Sequence, residues 1–189
     1  MPASGLALRL LDGAAAAERE ADLLALAAEV NGDSAARGTV PGPAAARQAR
    51  VRRRQPGFAL AEARHGGYLV GYAAGMPLRP STSWWRGLTT PLPEEVTAEH
   101  LGRTFALAEL LVRAPWRRQG IGRDLHDLLL AGRPEERATL TVPPGASAAQ
   151  HAFRSWGWQK VARSRGDGLP PAAPVLDVLL LSPLAGRGR

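Results

Sequence analysis

Phe105-Ala-Leu-Ala-Glu-Leu-Leu-Val-Arg-Ala-Pro-Trp-Arg-Arg-Gln-Gly-Ile-Gly-Arg-Asp-Leu-His-Asp-Leu-Leu-Leu130 reads as an apolar strand, a short basic glycine loop and an amphipathic helix. The run Phe105–Val112 is nearly all apolar, as in a strand covered on both faces. The loop Arg117-Arg118-Gln119-Gly120-Ile121-Gly122 falls where the helix begins. After it, Ile121, Leu125, Leu128 and Leu129 recur on one face. The free N–H groups and the positive dipole end of a helix attract anions. Glycine lets the backbone approach them, because no Cβ stands in the way. Such a loop can hold a pyrophosphate. It is not a dinucleotide or Walker loop: a third spaced glycine is absent, and so is a Gly-Lys-Ser/Thr run.

Outward from this stretch, the chain of 189 residues divides into recognisable elements. Leu6–Leu11 suits a first strand. Asp12 is an N-cap for a helix over about 14–30, which Asn31-Gly32 would end. A second helix is expected over 44–54, between Pro41-Gly42-Pro43 and Pro56-Gly57. Strands follow at 58–64 and 68–76, with His65-Gly66-Gly67 as the hairpin turn. Residues 77–104 form a long loop or lid, with one helical turn near 94–98. Beyond the central helix, which Gly132 and Pro134 stop, come a strand at 138–142 and a short helix opened by a Ser147–Gln150 capping box. Gly157 ends that helix. Strands at 158–162 and 175–181 complete the fold, and 185–189 is expected to be a frayed tail. One domain over 1–189 accommodates all of this.

The loop and its flanks resemble motif A of the GNAT superfamily of acyl-CoA-dependent N-acetyltransferases. Its signature is Arg/Gln-x-x-Gly-x-Gly/Ala between a strand and a helix, and Arg117, Gly120 and Gly122 occupy its fixed places. The order of elements is also that of the superfamily. The resemblance implies an α/β (α+β layered) fold: a mixed, largely antiparallel central sheet of about six to seven strands, flanked by about four helices. Many relatives carry Asn…Ala…Tyr-x-x-x-Gly-Phe on a later helix. Here Gly157-Trp158 matches its end, but Phe153 replaces the tyrosine and Ala146 the asparagine.

The resemblance implies acetyl-CoA as co-substrate, with a small-molecule or peptide amine as acceptor. Its pantetheine arm would meet the backbone of Leu111, Val112 and Arg113. Its pyrophosphate would meet Arg117, Arg118, Gln119, Gly120, Ile121 and Gly122, with side-chain charge from Arg118 and Arg123. Phe153 would face the thioester end. Glu109, the ionisable group of an apolar strand, is the candidate general base, because burial would raise its pKa toward the working range. A structural glutamate paired with an arginine such as Arg103 is the equal alternative. Trp84-Trp85 is expected to be an exposed pair walling the acceptor pocket, with Tyr72 nearby, or else to cover the open edge of the core. Arg50, Arg52, Arg53 and Arg54 form either a solvated face or a selector for a negative acceptor.

Composition bounds the alternatives. Cysteine is absent, which excludes disulfides and thiolate nucleophiles, and four scattered histidines give no metal site. Without a nucleophile, the amine attacks directly in a ternary complex. The net charge of +7 comes almost wholly from arginine, Lys160 being the only lysine. That bias fits a GC-rich coding sequence, and it favours a polyanionic ligand such as coenzyme A. A basic nucleic-acid-binding module using Arg47–Arg54 is the rival from another class, and the absence of a base-reading motif counts against it. A non-catalytic acyl-CoA binder is the nearer rival, given Phe153 and Ala146. Neither a secretory signal nor a membrane-spanning run is visible, so a cytoplasmic monomer or homodimer is expected.

Overall fold

The computed structural model describes residues 5–35, 43–166 and 173–184. Seven strands are present: β1 (Leu6–Leu11), β2 (Ala59–His65), β3 (Tyr68–Pro77), β4 (Thr104–Val112), β5 (Arg137–Val142), β6 (Gln159–Ser164) and β7 (Leu176–Leu181). The helices are α1 (Gly13–Glu18), α2 (Glu20–Ala35), α3 (Pro43–Arg53), α4 (Glu94–Thr97), α5 (Ile121–Leu130) and α6 (Ser147–Ser155). The strands hydrogen-bond in the order β1-β2-β3-β4-β5-β7-β6. Pairs β1–β2, β2–β3, β5–β7 and β6–β7 are antiparallel, and β4–β5 is parallel. This is the mixed, largely antiparallel sheet expected.

The chain forms two compact units. Among the described residues, the first runs to Met76 and adds Leu107–Ala131; the second holds Pro77–Ala106 and the chain from Gly132 to Leu184. In the first unit, Asp12 caps α1 as expected, its Oδ1 accepting from the Ala15 N–H at 2.9 Å. The expected single helix is two, parted at Arg19. Asn31-Gly32 does not end it, since α2 runs to Ala35; one helical glycine costs only about 1 kcal/mol and is not by itself a stop. Gly66 and Gly67 close the β2–β3 hairpin with φ 55° and 83°, the pair of positive angles a two-residue turn of this hand requires. Helix α5 lies on β2 and buries Ile121, Leu125 and Leu129. The sheet beneath is lined by Ala61, Ala63, Gly71 and Ala73. A Cβ at Gly71 would stand 2.9 Å from the Leu111 carbonyl and 3.1 Å from Leu125 Cδ1, so glycine there lets strand and helix close up.

In the second unit, Phe105, Leu140, Val178, Leu179 and Leu181 form the core. The expected capping box is absent. Ala146 is the N-cap of α6, and no side chain caps it. Gln150 is buried, and its Nε2 donates to Asp177 Oδ2 at 3.0 Å. Lys160 and Arg163 reach the same carboxylate at 2.7 and 3.1 Å. Burial alone would raise the Asp177 pKa, but these donors hold it below the usual carboxylate value. Among the described residues, no helix is long and apolar enough to cross a membrane. The tail 185–189 lies outside them.

Candidate functional site

The first unit carries the loop. After β4, Ala114–Trp116 makes one 3-10 turn with Pro115 near its start, and α5 begins at Ile121 with Gly120 as N-cap. Gly120 has φ 87° and Arg118 φ 62°; Arg118 is the only non-glycine with positive φ among the described residues. That conformation costs an ordinary residue about 1 kcal/mol or more, and such strain gathers where function holds it. No side chain caps α5. Its Ile121 and Gly122 N–H groups, at the first two helical positions, have no acceptor inside the helix. A Cβ at Gly120 would meet nothing within 4 Å, so this glycine answers to conformation and leaves the loop's face open.

The loop arginines divide. Arg117 Nε donates to the Val112 carbonyl at 2.8 Å, and Gln119 Nε2 to the Pro115 carbonyl at 2.9 Å, so both brace the turn. Arg123 pairs with Asp127 at 2.6 Å. Arg118 is exposed and has no side-chain partner among the described residues. It is the cation left for a ligand.

Strand β4 is not covered along its whole length, contrary to the expectation. Thr104–Leu107 are buried, whereas Ala108–Val112 are half-exposed despite their apolar sequence. Within the first unit β4 is the last strand after β3, so Leu107–Val112 forms an edge of that unit. Successive residues of a strand turn their backbone groups to opposite edges. The Arg113 N–H donates to the Val70 carbonyl at 2.9 Å, and the Leu111 carbonyl presses on Gly71. Both therefore face β3, while Val112, whose carbonyl accepts from Arg117 Nε at 2.8 Å, turns its backbone the other way. The Arg113 side chain is buried, donating from Nε to the Leu69 carbonyl at 2.8 Å, pairing with Glu29, and lying 4.5 Å from the Tyr68 ring centroid.

Glu109 sits on the half-exposed stretch with its side chain 29% accessible. The Tyr72 hydroxyl, from β3, donates to its Oε2 at 2.5 Å, and Arg52 Nη1, from α3, stands 3.5 Å from its Oε1. Tyr72 is buried. Burial first, then the charge and hydrogen bond of Glu109, push its pKa far above the ordinary phenol range, so it stays a protonated donor. Arg103, the example of a pairing arginine in the structural alternative for Glu109, instead donates to the Ala98 and Glu95 carbonyls. Arg50 and Arg53 both pair with Glu20, which leaves Arg52 as the member of that run beside Glu109. The arginine run on α3 was the visible signal, but the sequence does not say which member reaches β4.

The second unit holds the remaining candidates. Phe153 is buried, with its ring edge-on to Trp156 and Trp158 at centroid distances of 5.4 and 5.8 Å. The tryptophans are not an exposed pair. Trp85 is 8% accessible and packs with Ala162 and Val178, with half-buried Trp84 against the same cluster. Trp84 Nε1 donates to Thr139 at 3.2 Å and Trp85 Nε1 to Glu99 at 2.8 Å. One edge of Trp85 lines an open cavity of about 440 Å³ with Thr82, Arg86, Leu88, Leu92 and Thr97. Glu99 and Arg137 were missed altogether. Glu99, its side chain 1% accessible, accepts from Trp85, from Thr104 Oγ1 at 2.8 Å and from Arg137 Nη2 at 2.9 Å. Among the described residues its buried Oε2 has no partner. His126 is a packed residue, its Nδ1 2.8 Å from Asp127 Oδ1.

A glycine loop open at a helix start, joined through a half-covered strand to an oriented carboxylate, is an arrangement that can be compared with known proteins. A family model described as Acetyltransferase (GNAT) family matches residues 33–158. The chain belongs to the GNAT acetyltransferase family. It is thus an acyltransferase of the GNAT type, and solved members share its fold. One is an acetyltransferase from Streptococcus agalactiae, at 13% identity and TM-score 0.66, covering 95% of this chain and 99% of that one. Another is the ribosomal-protein-S18-alanine N-acetyltransferase from Escherichia coli, at 12% and 0.64, covering 94% and 93%. A third is the PaiA N-acetyltransferase from Thermoplasma acidophilum in complex with coenzyme A, at 11% and 0.62, covering 94% and 98%. No curated protein matches the sequence at a significant level.

Proposed function

We propose that this GNAT protein transfers an acetyl group from acetyl-CoA to a primary amine of a small molecule or peptide, by direct attack in a ternary complex. The observation that carries the reading is the open, uncapped start of α5 with Gly120 and Arg118 both at positive φ, followed back along β4 to Glu109. Backbone N–H groups from Gly120 to Gly122 and the Arg118 guanidinium would hold the pyrophosphate. The outward backbone of β4 around Val112, whose carbonyl already accepts from Arg117, would pair with the pantetheine arm. Coenzyme A in the Thermoplasma relative supports that cofactor.

Glu109 accepts a proton from the acceptor's ammonium group. The freed lone pair attacks the thioester carbon, forming a C–N bond, and the C–S bond breaks with its electron pair leaving on sulfur. The second nitrogen proton is then lost, and the thiolate is protonated. Tyr72 keeps Glu109 turned toward the acceptor by its hydrogen bond. Phe153 carries no proton to give the thiolate, which leaves acceptably because its thiol has a pKa of about 8.5. Tyr72 is the acceptor-side residue of the first unit in this reading.

Glu109→Gln keeps the shape and removes the base. Turnover of a confirmed amine, followed by thiol release, is expected to fall about 100-fold, while calorimetry finds acetyl-CoA affinity unchanged. Wild-type turnover in that variant would make Glu109 structural. The lack of a hydroxyl at Phe153 favours a second reading, a non-catalytic acyl-CoA binder. Acetyl-CoA binding without thiol release across a broad amine panel would establish it. The ion pairs of Arg50, Arg52 and Arg53 weigh against a nucleic-acid module, whose arginines must be free for phosphates.

A further inference from the structure

The α3 arginines are not equivalent. Arg50 and Arg53 are bound to Glu20. Arg52 has Glu109 as its charged partner, and at 3.5 Å this is a loose contact in which neither fork of the guanidinium closes on the carboxylate. Glu109 already receives a 2.5 Å hydrogen bond from Tyr72 on its other oxygen. The groups facing Glu109 are thus Tyr72 from β3 and Arg52 from α3, with Arg53 near Tyr72. A bare amine brought to Glu109 as its ammonium form would be repelled by the Arg52 cation beside it. A catalytic base flanked by a fixed cation therefore makes poor sense for a simple alkylamine.

It makes good sense for an amine that carries its own anion. We propose that the acceptor is an amino acid or a close analogue, an amine with a carboxylate one or two carbons away, and that Arg52 is the residue that selects it. The ammonium group would meet Glu109 Oε1 and the carboxylate would meet the Arg52 fork. With hydrogen bonds of about 2.8 Å at each end, the four groups form a closed ring of alternating charge around the 3.5 Å gap. The Arg52–Glu109 contact need not break for the substrate to enter. Its half-exposed setting, at 26% and 29% side-chain accessibility, leaves both groups reachable. This inference rests on Glu109 as the base, and the chemistry is that of the transfer above: the ammonium proton goes to Glu109, nitrogen bonds to the acetyl carbon, and sulfur leaves with its electron pair.

The test uses L-methionine, L-glutamate and β-alanine, each beside its carboxamide, with acetyl-CoA and thiol detection. In the wild-type protein kcat/KM is expected to favour at least one free acid over its amide by about 100-fold. Arg52→Gln should erase that preference, lowering the acid's value and, with the repelling cation gone, raising the amide's. Arg52→Lys, which keeps the charge but not the fork, should recover part of it. Unchanged acetyl-CoA affinity by calorimetry will show that the variants are folded. Equal use of acids and amides by the wild type overturns the proposal, as does an equal loss on both in Arg52→Gln. Turnover of amides alone overturns it but leaves Glu109 as the base. No turnover of any of these probes with acetyl-CoA bound overturns it as well; only silence across the broad amine panel overturns the transferase reading.

Discussion

Two irregular segments of this protein are built on opposite plans. The loop at 117–122 is held by its own neighbourhood: two residues at positive φ, and two side chains that reach carbonyls four or five residues back. Its remaining N–H groups and Arg118 face outward. The loop at 77–103 is held from a distance. Trp84 reaches Thr139, 55 residues on, and Glu99 reaches Arg137, 38 residues on, with both carboxylate and guanidinium buried. A segment that must receive an anion keeps donors unspent and stiffens through its backbone. A segment that shapes a wall spends its polar groups inward and stiffens through side chains. The long loop is therefore pinned by its side chains.

The sharpest way to break this comparison is to unpin the second loop. Glu99→Ala leaves the Arg137 guanidinium, the Trp85 indole and the Thr104 hydroxyl without their shared acceptor. Removing one partner of a buried ion pair costs about 3–5 kcal/mol. For a chain of this size that corresponds to a fall in melting temperature of roughly 10 °C. Acetyl-CoA affinity measured well below the transition should stay close to wild type. A melting temperature within a degree or two of wild type would mean that Glu99 does not pin the loop. An effect of similar size from Glu99→Gln would show that charge, not shape, holds it.

A smaller effect is expected at Gly120, where the binding loop is set by backbone conformation. A valine there would have room, since nothing lies within 4 Å, but it would be forced into a region that a β-branched side chain avoids. The stability cost should be about 1–2 kcal/mol. The Ile121 and Gly122 donors would lose their alignment, so acetyl-CoA affinity should fall about 100-fold or more, read by calorimetry. Gly120→Val with unchanged affinity would remove this loop from the cofactor site. The ordering of the two variants matters as much as either value: Glu99→Ala should cost the more stability and spare affinity, and Gly120→Val should cost less stability but most of the affinity.

This division also explains what the sequence disclosed. The strand, glycine loop and helix around Gly120 are legible because an apolar run, glycine spacing and leucine periodicity act within a few residues. Asp12 as a cap and Gly66-Gly67 as a turn are legible for the same reason. Ser147 looked like a cap because Gln150 follows at the right spacing, yet Gln150 is claimed by Asp177, 27 residues away. The tryptophans looked exposed because their loop is polar, yet their indole donors find Thr139 and Glu99. At Glu109 the sequence marked an ionisable group in an apolar strand, with pairing to an arginine as one of two readings. It could not choose Arg52 over Arg103, or foresee the Tyr72 hydroxyl, because those contacts are made by folding α3 and β3 onto β4. What is local is readable; what is paired across the sheet is not.

The finest test of the contrast is Arg118, where strain and ligand binding meet in one residue. Its φ of 62° costs an L-residue, and glycine would adopt it freely. In the unfolded chain glycine is the more flexible residue, which offsets part of that relief. Arg118→Gly should therefore change stability by less than about 1 kcal/mol, with the sign toward stabilisation if the strain is the larger quantity. Affinity should move the other way. Loss of an exposed cation beside a phosphate weakens acetyl-CoA binding by about tenfold and flattens its dependence on salt. Dephospho-CoA should lose about as much as CoA, because the pyrophosphate is common to both. If Arg118→Gly proves clearly less stable and binds acetyl-CoA as before, the positive φ is a local folding feature and the cation is idle. A protein that is no less stable but binds more weakly shows instead that the loop holds a strained residue in place for its ligand.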